Sequence, residues 1–316
     1  MSVFTTVSND ELVPFLKNYS LGQLVDIKGI AAGVTNTNYF VTTTHGKYVL
    51  TLFETLQASE LPYYVDLMVH LGQHGIAIAA PIANLRGEYI DELNGKPTLL
   101  VPCLPGAVTD SPNVAQCGQV GEMLAQMHLA AASYSGQMSN PRGPQWWSAT
   151  AHDMYPFMSE ADAALLHAEV QLQSQHKFDQ FQMNLPKGVI HADLFRDNAL
   201  MNGDQVGGFI DFYYACNDIL LYDLAITLND WCVLENGDID AERARAMLAG
   251  YQSVRPLTDD EVADWPIMLR AAALRFWVSR LLDFHKPAAG EMTFAKDPGH
   301  FQRVIQHHQA RTDFWL

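Results

Sequence analysis

Three side chains near the middle of the chain could do chemistry together. Asp193 and Asn198 lie in the run His191-Ala-Asp-Leu-Phe-Arg-Asp-Asn198, and Asp211 ends the run Gly207-Gly-Phe-Ile-Asp211. An aspartate can take the proton of a substrate hydroxyl as general base. An amide oxygen and a second carboxylate are hard oxygen donors suited to Mg²⁺. The set therefore suits phosphoryl transfer from Mg–ATP to an alcohol. A His-x-Asp pair alone decides little, because in metal-dependent hydrolases both residues are ligands. The flanking residues decide more. Val189-Ile190 reads as a strand entering the loop, and Ala199-Leu-Met201 as a strand leaving it. Asn202-Gly-Asp204 is turn chemistry, and Gly208-Phe-Ile210 is a third strand that stops at Asp211. Two strand ends would then present Asp193, Asn198 and Asp211 on one side of a hairpin.

The chain has 316 residues, enough for two lobes and a sizeable core. Hydrophobic residues make up 48% and charged residues 17%, the balance of a globular enzyme. A net charge of −16 disfavours nucleic acid and anionic membranes as partners. It also repels ATP, so a nucleotide needs a local cluster of backbone N–H groups, cations and metal. Cys103, Cys117, Cys216 and Cys232 contain no Cys-x-x-Cys pair and read as reduced thiols of a cytoplasmic protein. No secretory signal and no apolar run of about eighteen residues is evident. A homodimer is compatible with the sequence but not specified by it.

Several elements can be placed. Ser8-Asn-Asp-Glu11 is a capping box, predicting a helix to about Tyr19. Leu24–Ile30, Asn38–Thr43 and Lys47–Phe53 read as three antiparallel strands. A helix over Ser59–His74 follows, then the turn Asn94-Gly95 and a strand over Pro97–Val101. Pro102-Cys-Leu-Pro-Gly106 breaks that strand. It sets the expected boundary between a nucleotide-binding lobe, residues 1–102, and a catalytic and substrate lobe, residues 103–316. In the second lobe helices are predicted over Val114–Leu129, Glu160–Gln182, Leu221–Trp231, Asp240–Tyr251, Asp259–Phe284 and Pro298–Ala310. The fifth carries a break or kink at Pro266. Gln137–Gln145 reads as a surface loop. The fold class is α+β, with a small antiparallel sheet followed by a larger, mainly helical part.

Four segments carry a family resemblance: Gly29-Ile-Ala-Ala-Gly33-Val-Thr-Asn36-Thr-Asn38, Gly188 to Asn198, Ile210 to Trp231, and Ala249-Gly-Tyr-Gln-Ser-Val-Arg-Pro-Leu257. They resemble the aminoglycoside phosphotransferase/choline kinase superfamily of bilobal, protein-kinase-like fold. Within it they are most similar to the bacterial homoserine kinases. The resemblance implies Asp193 as the base and Asn198 and Asp211 as Mg²⁺ ligands. His191 would brace the loop, and Asp223 would hold it by hydrogen bonds. It also implies ATP as cofactor, with Gly29, Gly33, Asn36 and Asn38 in a loop over its phosphates. That loop is neither a Gly-x-Gly-x-x-Gly nor a P-loop. One departure stands out: where protein kinases carry a phosphate-touching Lys in the third strand, Thr51 occupies the position. Glu60 then lacks its usual partner, and Lys28 or Lys47 could contribute charge instead.

An amino-acid substrate needs a cation for its carboxylate, an acid or carbonyls for its ammonium, and a hydroxyl within reach of Asp193. The segment Leu269–Phe284 is apolar almost all round and should be buried. Arg275 and Arg280 on it must therefore be paired or face a ligand, and either is a candidate carboxylate clamp. Asp230 is a candidate for the ammonium and Tyr213 or Tyr214 for a pocket wall. Arg196 could touch phosphate or solvent, and His128 reads as a core or capping histidine. The implied reaction is phosphorylation of L-homoserine. The alternatives are a kinase for choline, methylthioribose or an aminoglycoside, a nucleotide-binding regulator without turnover, and a metallohydrolase.

Overall fold

A computed structural model describes residues 4–30, 35–176, 184–287 and 296–316. The chain divides into two compact units, Met1–Pro105 and Gly106–Leu316.

The first unit is one antiparallel sheet with helices. Helix α1 (Asn9–Leu16) begins at the Ser8–Glu11 capping box, in which Ser8 accepts from the Glu11 N–H and Glu11 from the Ser8 N–H. Strands β1 (Leu24–Gly29), β2 (Thr37–Thr43), β3 (Lys47–Leu52), β4 (Asp91–Leu93) and β5 (Lys96–Pro102) pair in the order β1-β2-β3-β5-β4. Alternation along β2 turns Thr37, Tyr39, Val41 and Thr43 inward. Tyr39 and Val41, with Leu50 and Leu52 of β3, bury against Leu12, Phe15 and Leu16 of α1. The β4–β5 turn is the expected Asn94-Gly95, both in left-handed backbone, as a tight hairpin requires. Helix α2 (Pro62–Gln73) begins later than the predicted Ser59, because Pro62 suits the first helical turn, where its missing N–H has no cost.

The second unit holds helices α3 (Val114–Ala130), α4 (Pro144–Met154) and α5 (Glu160–His176), then strands β6 (Lys187–Ile190), β7 (Ala199–Asn202), β8 (Gln205–Phe209) and β9 (Cys216–Ile219). Helices α6 (Leu220–Trp231), α7 (Ala241–Val254), α8 (Asp259–His285) and α9 (Gly299–Ala310) complete it. β7 pairs with β8 as a hairpin, and β6 pairs with the unanticipated β9. Every residue of α6 is buried, so this helix forms the centre of the unit. Helix α4 begins at Pro144, inside the segment expected to be loop. Helix α8 runs unbroken through Pro266, correcting the expected break. Its flanking residues Trp265 and Met268 are buried, and that packing outweighs one missing hydrogen bond. The predicted continuation of α5 to Gln182 lies outside the described residues. No helix among the described residues is long and apolar enough to cross a membrane.

Candidate active site

Strand β6 delivers the chain into the loop 191–198, which Asp223 holds from the first turn of α6. The fully buried Asp223 accepts the His191 N–H on Oδ2 and the Ala192 N–H on Oδ1, both at 2.8 Å. Burial alone would raise the Asp223 carboxyl. The hydrogen bonds from His128 and from the loop backbone outweigh it and hold the group below the ordinary value. Ala192 sits in left-handed backbone (φ 63°), which a residue with a Cβ adopts rarely; two bonds to one carboxylate overdetermine it. His191 links the loop to the next strand end. Its Nδ1 accepts the Asp193 N–H at 3.3 Å, so the proton lies on Nε2, which donates to the Ile210 carbonyl at 2.9 Å. Burial lowers the His191 pKa, consistent with a neutral bracing ring.

Asp193, Asn198 and Asp211 come together at one end of the β7–β8 hairpin. Asn198 spends both amide hydrogens on Asp193, donating to its carbonyl (2.8 Å) and to Oδ2 (3.1 Å). This orientation leaves the Asn198 Oδ1 available. The Ile210 N–H donates to the Asn198 carbonyl at 3.0 Å, which sets Asp211 beside it. Asp211 has left-handed backbone (φ 63°, ψ 59°), strain of the kind kept at functional sites. Its side chain reaches solvent, yet the protein packed around it disfavours charge, and Asp193 and Asp197 repel it. Together these lift its carboxyl to about 7. No Lys or Arg pairs with Asp211 among the described residues. An amide oxygen beside a carboxylate in need of positive charge fits a hard divalent cation, whose remaining ligands would be water and phosphate. No cluster of three or more His, Cys, Asp or Glu side chains at metal-binding geometry occurs among the described residues.

Arg275 is the cation brought to Asp193. Its side chain is 5% exposed, and Nη1 lies 3.3 Å from Asp193 Oδ1. The guanidinium stacks over Phe276 (3.8 Å) and faces Tyr214 (5.5 Å). Its other N–H groups have no protein acceptor among the described residues. Burial raises the Asp193 carboxyl, with Arg275 opposing. Tyr213 and Tyr214 fill the turn directly after Asp211, and burial raises both phenols.

Two expectations are corrected here. Asp230 is not free for an ammonium: its Oδ2 accepts the Arg196 N–H (2.7 Å) and Nε–H (3.1 Å). It stands seven residues after Asp223, two turns along the same face, so both acids brace the one loop. Arg196 is thereby committed too, with Nη1 donating to the Asp110 carbonyl at 2.7 Å. Arg280 lies five residues beyond Arg275, on another face of α8. It stacks over Phe301 (4.4 Å) and donates to the Asp297 carbonyl at 3.3 Å, away from Asp193.

Residues 26–257 match the model of a family described as "Phosphotransferase enzyme family". The chain belongs to this family. A protein of Methylobacillus flagellatus named "Homoserine kinase" is 55% identical over 307 residues, covering 97% of this chain and 95% of that protein. A protein of the same name from Neisseria meningitidis serogroup B is 50% identical, covering 96% of this chain and 99% of that protein. Among solved structures, the fold is shared with an aminoglycoside phosphotransferase from Alicyclobacillus acidocaldarius (TM-score 0.70, 16% identity, 97% and 94% covered). It is also shared with amicoumacin kinase hAmiN (TM-score 0.69, 17% identity, 96% and 92% covered). The protein-kinase-like phosphotransferase fold is therefore that of this chain.

In this phosphotransferase the residues expected to contact phosphate lie on the first unit. Gly29 ends β1, opposite Tyr39 of β2. Gly33 lies outside the described residues. The Oδ1 of Asn36 is buried and has no hydrogen-bond partner among the described residues. Asn38 is engaged with Thr51, whose hydroxyl donates to Asn38 Oδ1 at 2.8 Å. Thr51 thus serves the sheet where a protein kinase carries its cation. Glu60 accepts the Gln57 N–H at 2.8 Å and caps the turn before α2. Lys28 and Lys47 are exposed.

Proposed function

We propose that this phosphotransferase is a homoserine kinase, converting ATP and L-homoserine to ADP and O-phospho-L-homoserine. The observation that carries the reading is the convergence of Asp193, Asn198 and Asp211 on one hairpin end, in a chain half or more identical to proteins of that name over nearly their whole length. Asp193 takes the side-chain hydroxyl proton as the oxygen attacks the γ-phosphoryl group. Asn198 keeps the Asp193 carboxylate aimed through its amide N–H, and Arg275 opposes the effect of burial on its charge. Asn198 Oδ1 and the Asp211 carboxylate would hold Mg²⁺, which when bound neutralises charge on the phosphoryl oxygens. His191 and Asp223 position the loop. The unused N–H groups of Arg275 suit a carboxylate, and Tyr213 and Tyr214 suit a pocket wall. On the first unit, Gly29, Gly33, Asn36 and Asn38 are assigned to the nucleotide by family resemblance. Four free thiols support a cytoplasmic enzyme.

A coupled assay of ADP release with Mg–ATP tests this reading across L-homoserine, L-serine, L-threonine, choline, methylthioribose and an aminoglycoside. Homoserine should give the highest kcat/KM. A higher value for any other alcohol would replace the substrate, and no turnover with any would remove the kinase assignment.

A further inference from the structure

The Ala249-Gly-Tyr-Gln-Ser-Val-Arg-Pro run, prominent in the sequence, plays no direct part in the site described above. The structure shows where it leads. Tyr251 is fully buried, and its hydroxyl lies 2.8 Å from His128 Nδ1. His128 Nε2 lies 3.0 Å from Asp223 Oδ2, and both side chains are completely buried. Behind Tyr251, Arg255 Nη1 donates to its hydroxyl oxygen (3.2 Å), while Arg255 Nη2 donates to Glu261 Oε1 (2.9 Å). Glu261 also closes the capping box that starts α8, accepting the Thr258 N–H at 2.9 Å. One line of hydrogen bonds thus runs from the start of α8 to the two amides of the catalytic loop.

The direction of that line is fixed by chemistry. Arginine only donates, so the Tyr251 oxygen accepts from Arg255 and spends its own proton on His128 Nδ1. Nδ1 is then the acceptor, the proton lies on Nε2, and Nε2–H donates to Asp223. A doubly protonated His128 would leave the buried Tyr251 O–H without an acceptor, and an orphaned buried donor is costly. The other neutral tautomer would point a lone pair at the Asp223 carboxylate. The sequence supports the geometry through glycine. A Cβ at Gly250 would meet the Gly118 carbonyl oxygen at 2.1 Å, and one at Gly121 the Met247 carbonyl oxygen at 2.1 Å. Only glycine lets α3 and α7 approach so closely, and that approach brings His128 and Tyr251 within bonding distance.

We infer that Tyr251, oriented by Arg255, is a positioning residue for catalysis that sets the tautomer of His128 and thereby the grip of Asp223 on the loop carrying Asp193. The kinetic part of the inference rests on the proposed kinase activity; the tautomer does not.

The test is ¹⁵N NMR of the full chain labelled at histidine, with His128 assigned by comparison with His128→Gln, alongside steady-state kinetics. The wild-type protein should show His128 neutral with its proton on Nε2. Tyr251→Phe removes the donor to Nδ1, should move the His128 Nδ1 resonance and weaken the preference for the Nε2–H form, and should lower kcat about tenfold, the usual scale for an outer group that orients a working one. KM for both substrates should stay within about twofold. A glutamine amide has no tautomer to set, so adding Tyr251→Phe to His128→Gln should cost less than about twofold more. An Nδ1–H or imidazolium His128 in the wild type overturns the inference whether or not any variant folds. So does an unchanged kcat in Tyr251→Phe, or a full second penalty in the double variant. If the wild-type tautomer is as stated and no alcohol is phosphorylated, the activity reading fails and the tautomer assignment stands.

Discussion

Arg275 Nη1 lies 3.3 Å from Asp193 Oδ1, so the candidate base is held beside a buried cation carried by a helix 82 residues further along the chain. Burial raises the Asp193 carboxyl and Arg275 counters it. The base works only when ionised, so removing the cation raises its pKa and moves the loss of activity on acidification to higher pH. Arg275→Met should shift the acidic limb of kcat/KM for homoserine upward, while Arg275→Lys should shift it less. An acidic limb that stays in place in Arg275→Met would separate Arg275 from the base.

Asp193→Asn should lower kcat by about 10²–10⁴ if the carboxylate takes the hydroxyl proton. Nucleotide affinity, measured by calorimetry, should change little, because the substitution keeps size and hydrogen-bonding shape. Turnover at the wild-type rate would strip Asp193 of its role.

Asp211→Asn should abolish the rise of activity with Mg²⁺ concentration over the range that saturates the wild-type enzyme. The substitution removes the carboxylate whose raised pKa, about 7, marks a need for positive charge. An unaltered Mg²⁺ titration would place the metal elsewhere.

Asp230→Asn separates a loop brace from a substrate contact. Because Asp230 holds Arg196 (2.7 and 3.1 Å), the variant should lose about 1–3 kcal/mol of stability and much of its kcat. KM for homoserine should stay within about twofold. A selective rise in KM with kcat intact would return Asp230 to the ammonium.

Acid should weaken the fold through His308. Burial lowers its pKa from 6.5 to about 3, and its Nε2 bonds to Asn229 Oδ1 at 2.8 Å. Below pH 6.5 the unfolded chain takes up a proton there that the folded chain refuses, so stability falls as pH drops from about 6.5 toward about 3. Urea unfolding at pH 7 and pH 5 should show the loss, and His308→Gln should reduce the difference. An identical pH dependence in the variant would assign the acid sensitivity to other groups.

What the sequence determined is local. Asp193, Asn198 and Asp211 were legible because one strand, one loop and one hairpin carry them all. Strand alternation and turn chemistry then suffice to put them at one end. The capping box at Ser8 and the Asn94-Gly95 turn belong to the same class, since each is decided by residues at most three apart.

Tertiary structure decided which partners each charge receives. Asp230 and Arg280 looked as suitable for substrate as Arg275, because a helical sequence gives the spacing of its faces but not what lies opposite them. Packing around the buried α6 turned Asp230 onto Arg196, and packing of α8 against α9 turned Arg280 onto Phe301. Strand β9 and helix α4 escaped notice because Cys216–Ile219 is too short for a period and a Pro-Gly-rich lead hid the helix start. His128 looked like an ordinary core residue, since its partner Asp223 is 95 positions away and meets it only when the glycines let α3 and α7 touch. Backbone preferences act over a few residues, whereas pairing of buried charges is settled by whatever the folded core places against them.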